Sequence, residues 1–324
     1  MTMRFVWIVG LIGATVLATG CAKKPACING EEIVDCKYVH KYGVTVPQQD
    51  WTSRGENGKV VSTLKNGVVV AKNYVDGELH GETTYTFPYG DTVEKMESYE
   101  HGQLKSDLTY YSSGIPMREV QYPSATTENV TVWYESGSPR FREKYVDALL
   151  IEAEYFTPSN QVESVVDNGN GTRISRDPYG ILTATDTIDH GRLVLRTTAY
   201  PNGAPKEVIP YVNDQIQGVR KTFYPGGEPH TVEDWSNGNL HGVMTTYQNG
   251  EKVSEIVYVE GKKNGLERHY RNGKEIVEEI SWQEDLKHGP CALYLGDNSK
   301  TEWYYQGKPV SKISYDLLAN PKIR

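Results

Sequence analysis

The chain has 324 residues, enough for one large domain or two ordinary ones, and 34 Lys and Arg stand against 42 Asp and Glu for a net charge of −8. That balance argues against a nucleic-acid binder, which needs basic surface to displace counterions, and against adhesion of the whole body to anionic lipid. With 31 Gly, and 23 Tyr and 6 Trp against 5 Phe, the composition describes a turn-rich β-protein whose aromatics keep one wet edge, not an enzyme with a large dry core.

Taken in chain order, the first element is an address. Arg4 precedes an uncharged, largely apolar run from Phe5 to Gly20, too short to span a bilayer and placed as a secretory leader. It ends Leu17-Ala18-Thr19-Gly20-Cys21, which resembles the lipobox of bacterial lipoproteins, with Ala18 where Leu is usual. The resemblance implies cleavage of residues 1–20 and acylation of Cys21. Ala22 after the Cys resembles the outer-membrane sorting pattern of Gram-negative lipoproteins. An ordinary secretory cut after Gly20 is the alternative.

Residues 21–50 read as a tether. Cys27 and Cys36 flank Ile28-Asn29-Gly30, where Asn-Gly marks a tight turn. An exported context permits a disulfide between them; two free thiols, or pairing with another chain, are the alternatives. Cys291 has no evident partner and reads as a small apolar strand residue.

Residues 51–305 carry an internal repeat. Trp51, Tyr74, Tyr99, Tyr122, Tyr145, Val166, Ile188, Tyr211, Trp235, Tyr258, Trp282 and Tyr305 recur about every 23 residues, a period typical of stacked supersecondary units. Most units hold a turn triplet such as Pro88-Tyr89-Gly90, Pro201-Asn202-Gly203 or Gln248-Asn249-Gly250, with Pro158-Ser159-Asn160 as a variant. A second turn follows the landmark residue in Asp76-Gly77, His101-Gly102, Asn168-Gly169, His190-Gly191, Asn237-Gly238 and Glu260-Gly261. Two turns per unit leave two strands of ordinary length, and alternation such as Ile276, Glu278, Ile280, Trp282 is strand-like. The expected fold is all-β: an elongated antiparallel meander of about eleven β-hairpin repeats, with little helix. Residues 306–324 read as a C-terminal cap or tail.

Tyr74-Val75-Asp76-Gly77-Glu78-Leu79-His80-Gly81 and Trp235-Ser236-Asn237-Gly238-Asn239-Leu240-His241-Gly242 resemble the MORN motif. The continuing Pro88-Tyr89-Gly90 and Gln248-Asn249-Gly250 resemble its bacterial variant, some members of which carry an antitoxin label. The units from Tyr99, Tyr122, Tyr145, Val166 and Ile188 lack the second Gly, so the middle of the array is expected to twist or pack differently. The resemblance implies a hairpin array used for contacts and supplies no catalytic residues.

The remaining constellations read as structure. His80, His241 and His288 share one repeat position but belong to separated units, which does not build a metal site. Acid pairs such as Glu278-Glu279 and Glu284-Asp285 lie on strand faces or in turns, whereas glycoside hydrolysis needs two carboxylates across a cleft. Ser113-Gly114 and Ser136-Gly137 lack a nucleophile-elbow context. Asn168-Gly169-Asn170-Gly171 lacks the Lys of a phosphate loop. The feature with a functional reading is an aromatic ladder, Tyr111, Tyr134, Tyr200, Tyr224, Tyr247 and Tyr270, each three places before a turn Gly. Such rings form either a groove for an extended peptide or glycan, or intra-sheet packing. The sequence therefore points to a non-enzymatic envelope protein without cofactor or metal, held to the membrane by its N-terminal lipid, whose array binds another envelope protein. A glycan or peptidoglycan binder, or an antitoxin-like protein, is the alternative.

Overall fold

The computed structural model describes residues 27–296 and 298–320; the leader and Cys21 lie outside them. Among the described residues 27 strands join through antiparallel pairings, and the two helices, Gln48–Ser53 and Lys312–Ala319, are short. The all-β meander expected from the repeat is what the chain forms. From Gly58–Leu64 onward each strand pairs with the next, except around Pro210. Proline has no N–H to give to a ladder. Facing it, the returning strand breaks into Gln215–Ile216 and Gly218–Phe223, both paired to Pro205–Val212.

Each unit turns twice, and both turns use left-handed backbone. In the longer turn the Tyr200 N–H donates to the Ala204 carbonyl and the Gly203 N–H to that of Tyr200, both at 2.8 Å, with Gly203 at φ 83°. The same pattern recurs at Tyr111, Tyr134 and Tyr224, and Asn160 takes the glycine place at φ 61°. The shorter turn has two residues at positive φ, such as Asn237 at 48° and Gly238 at 77°. This is the type I′ geometry whose twist matches paired strands. Asp147-Ala148, Asn213-Asp214 and Glu284-Asp285 adopt it without glycine. Register shifts recur at Tyr99, Trp235, Tyr258 and Trp282, so several units carry a bulge beside their landmark aromatic. Bulges sharpen twist, and the sheet coils instead of lying flat.

The turns also tie neighbouring units together. The Gly102, Gly261 and Gly307 N–H groups donate to the carbonyls of Leu79, Leu240 and Lys287, one hairpin earlier, at 2.8, 2.8 and 2.9 Å. In the middle this staple tightens. Val162–Asp167 and Asn170–Arg176 share two residue pairs only. The Gly169 N–H reaches the Ile151 carbonyl, that of Gly191 reaches Gly169, and that of Leu150 reaches Gly191. Units on either side of the short hairpin are thereby drawn together. The buried cluster of Leu150, Ala153, Tyr155, Val166 and Ile188 forms there, with Phe141, Tyr145, Ile174 and Leu193 against it. Burial alternates cleanly in Leu182–Asp189, where Ala184, Asp186 and Ile188 point inward and Thr183, Thr187 and Asp189 outward.

The sheet reaches beyond residues 51–305 on both sides. Glu31–His40 pairs along Gly58–Leu64, so the expected tether contributes a strand. Trp51, expected to open a strand unit, sits instead in the first helix. It is 4% exposed and packs on Tyr38 and Tyr74 with ring centroids 5.8 and 6.2 Å away. At the other end Lys308–Val310 adds a short strand and the second helix follows, with Ser311 accepting a cap bond from the Ser314 N–H. Tyr315 stacks on Trp303 at 5.1 Å. Each end of the array is therefore closed by a short helix that inserts one aromatic.

The Cys27–Cys36 bridge is corrected. Cys27 pairs opposite Glu32, which stands four residues, roughly 13 Å, along the strand from Cys36. Disulfides need Cα atoms within about 7 Å. Cys36 is a free thiol, its Sγ 3.6 Å from Ser62 Oγ.

A Cβ on Gly171, at φ 148°, would lie 2.3 Å from the Val165 carbonyl oxygen, whereas one on Gly203 meets nothing within 4 Å. Gly171→Ala is expected to cost roughly 2–4 kcal/mol and Gly203→Ala about 1 kcal/mol. Urea midpoints of the two variants measure the difference, and equal losses would refute the tight packing at the short hairpin.

Candidate binding surface

The six tyrosines of the ladder divide. The hydroxyls of Tyr111, Tyr134, Tyr200 and Tyr224 donate to the carbonyls of Trp133, Phe156, Phe223 and Tyr247, one unit further on, at 2.9, 3.3, 2.8 and 3.1 Å. Tyr270 instead donates to Glu255, and Tyr247 supplies its carbonyl to Tyr224. The first four are rivets between repeats. They also show why Tyr outnumbers Phe: the hydroxyl reaches the next hairpin's backbone, which a phenyl ring does not.

The inward face carries a second set of groups. Glu97, Glu143, Asp186 and Glu233 each stand two residues before a unit landmark, where Val120, Ser164 and Ile209 stand in the intervening units. Successive acids are thus about four strands, or roughly 19 Å, apart, and each has its own donors. Glu97 accepts from Tyr85 and Tyr99 at 3.2 and 3.1 Å and pairs with Lys95 at 2.7 Å. Glu143 accepts from Tyr145 and Tyr155 at 2.7 and 2.8 Å. Glu233 accepts from Thr231, Trp235 Nε1 and Arg220 at 2.8, 2.9 and 2.9 Å.

Asp186 is the most enclosed, with 0% exposure. Arg173 donates to it through Nε and Nη2 at 2.9 and 2.7 Å, and Arg196 through the same pair of atoms, both at 2.7 Å. Burial pushes its carboxyl up, but the hydrogen bonds and charge of Arg196 and Arg173 outweigh that and hold it below the usual range. Glu267 follows the same rule, burial opposed and overcome by Lys263 and His269. Burial first, then Glu97, pushes Tyr85 up to about 12. Sequence reading missed this set, although the alternation of acid and uncharged residue two places before each landmark was there to be read.

The repeat histidines have a backbone role. Nδ1 of His80, His241 and His288 faces the N–H of His101, Glu260 and Gln306, one turn further on, at 3.5, 3.4 and 3.4 Å. A ring that accepts through Nδ1 carries its proton on Nε2, and neither nitrogen is then free to ligate a metal. The acid pairs also resolve. Glu279 accepts from Arg268 and Tyr294, on the face opposite Glu278, while Glu284-Asp285 is a turn.

Two concavities stand out on the surface. One, about 630 Å³, crosses the outward face over Arg142, Lys144, Glu152, Glu154 and Val165, and its charges pair as Arg142–Glu154 and Lys144–Glu152. The other, about 550 Å³, opens on the inward face beside the short hairpin, over Tyr145, Leu150, Ile188 and Leu193, with Arg173, Arg192, Asp147 and Asp214 around them.

Tyr200→Phe removes one rivet and is expected to cost about 1 kcal/mol, read as a lower urea midpoint with the circular dichroism spectrum retained; an unchanged midpoint would count against the rivet. Asp186→Asn leaves two guanidinium groups without their counter-charge and is expected to cost about 3–5 kcal/mol near pH 7. The folded carboxyl titrates below its unfolded value of about 3.9. Its contribution is therefore complete above that pH and is lost as pH falls toward the folded pKa. The stability gap between wild type and Asp186→Asn should narrow below pH ~3.9; a gap that stays constant from neutral pH into acid would contradict the ion-pair account.

No family model matches the chain, and no curated protein matches it. Among solved structures, one similar chain is a point mutant of S. aureus TarM, crystallised in complex with fondaparinux, alpha-GlcNAc-glycerol and UDP. It is 13% identical over 38% of this chain and 21% of that one, with a TM-score of 0.20. The match thus spans about a fifth of that protein's length, and a likeness this small carries no argument about fold or function.

Proposed function

We propose that the chain is a non-enzymatic, lipid-anchored protein of the cell envelope whose MORN-like hairpin array presents a protein-binding or scaffolding surface. The observation that carries the reading is how the inward ionisable groups are engaged. Asp186 and Glu267 are held low by partners of opposite charge, whereas a general acid at neutral pH needs a carboxyl raised toward the working pH. The groups that an active site would use here hold the sheet together. What the array offers outward is area: two long faces, a stack of exposed turns and open concavities. The four rivet tyrosines have committed their hydroxyls to backbone, which weighs against the glycan-groove alternative. Membrane attachment rests on the leader and Cys21.

Two measurements test the proposal. Mass spectrometry of the N-terminal peptide should find Cys21 acylated, and a Cys21→Ser chain should leave the membrane fraction. In-cell crosslinking of the intact protein should return the same envelope protein in repeated preparations. An unmodified mature Cys21 removes the anchor from the proposal, and repeated capture of nothing removes the binding role.

A further inference from the structure

The inward concavity differs from the rest of the surface in having a dry floor under a charged mouth. Leu150 and Ile188 in its floor are 2% and 4% exposed, with Tyr145 and Leu193 beside them. Arg173 forms a wall, but Nε and Nη2 of its guanidinium are committed to Asp186, so its charge is already balanced. The mouth is built from turns. Asp147 and Asp214 line it and are exposed. Asp189 pairs across the ladder with Arg192 and lies 2.9 Å from His190. Against these three carboxylates stands one guanidinium, Arg192, whose Nη1 is 3.4 Å from Asp214. At neutral pH the opening is therefore negative and the interior apolar. Its volume, about 550 Å³, falls within the roughly 300–1,000 Å³ of ordinary ligand sites. An apolar pocket ringed by charge is how protein interfaces seat an anchor side chain.

We propose that this pocket docks a polypeptide segment of a partner protein, taking one aliphatic side chain onto the Leu150–Ile188 floor with flanking Lys or Arg residues against Asp147 and Asp214. The inference rests on the array's being a protein-binding surface and names where on it and what chemistry it prefers. Charge complementarity selects the basic flanks, because an acidic segment would face like charge at the mouth. The pocket exists because the short hairpin draws the units on either side of it together.

The test uses the intact protein in detergent and three fluorescein-labelled peptides, identical Gly/Ser chains carrying Lys-Leu-Lys, Glu-Leu-Glu or Lys-Ser-Lys at the centre. Anisotropy at low salt should show the Lys-Leu-Lys peptide binding at least about tenfold more tightly than either control. The Asp147→Asn/Asp214→Asn double variant keeps residues that tolerate positive φ and should lose most of that preference while its thermal unfolding is unchanged. Methyl NMR shifts should fall on Leu150, Ile188 and Leu193. Equal affinity for Glu-Leu-Glu, an unaltered preference in the double variant, binding by none of the three peptides, or preference for a cell-wall glycan fragment at these methyls would overturn the proposal. If crosslinking returns a partner equally from wild type and the double variant, this pocket is wrong and the binding role stands. If wild type returns no partner, the binding role itself fails.

Discussion

A two-stranded hairpin of eight or nine residues per strand does not hold itself together in water. Everything else in this protein depends on how one hairpin is fastened to the next. The fastening is main-chain: a turn with two residues at positive φ aims its second N–H at a carbonyl one hairpin earlier, as Gly102 does to Leu79 and Gly261 to Leu240. That geometry costs little at glycine and something at Ala148, Asp214 or Asp285. These places tolerate the cost because the strands on either side fix the backbone. On the opposite edge the rivet tyrosines fasten with a side chain, reaching from one long turn to the backbone of the next. Two rows of fasteners, one on each edge, convert a series of marginal hairpins into one sheet.

The inward face follows from that arrangement. A single coiled sheet has no second layer to supply a dry core of ordinary thickness, so its interior is part apolar and part polar. Polar groups enclosed in this way stabilise the fold only when each finds its partners. The chain meets that condition by alternation. An acid in one unit is followed by an uncharged residue in the next, Val120, Ser164 or Ile209, so Glu97, Glu143, Asp186 and Glu233 each draw on private donors instead of competing. Asp186 takes the extreme form, two arginines gripping one carboxylate, at the point where the sheet is most enclosed.

The period and the hairpins were legible because they are written in residues with local obligations: glycine and asparagine at positive φ, and aromatics at a fixed interval. The expectation that the middle units depart from the rest matched the structure, where the short hairpin from Val162 to Arg176 tightens the coil. Three things were hidden. Asp147-Ala148, Asn213-Asp214 and Glu284-Asp285 turn without glycine, so only their place in the period marks them. Glu31–His40 belongs to the sheet but meets its partner after an excursion through the Trp51 helix, which breaks the interval. The Cys27–Cys36 spacing suits a disulfide, yet the hairpin register carries the two residues apart. The inward acids were visible as residues but not as a set, because their meaning lies in what crosses from neighbouring strands.

The same contraction that buries the central cluster also opens the pocket beside it. Where two units are drawn toward a short third one, the turns close ranks while the longer strands on either side do not, and a hollow remains over the Leu150–Ile188 floor. Regular units press more evenly on one another and leave no apolar floor of this kind. A repeat array gains a distinct site by breaking its own repetition, and here the break lies where the sheet is held most firmly by the Asp186 grip. A rigid floor under a charged rim suits recognition of another chain: the floor is pre-organised and loses little on binding, while the rim discriminates by charge.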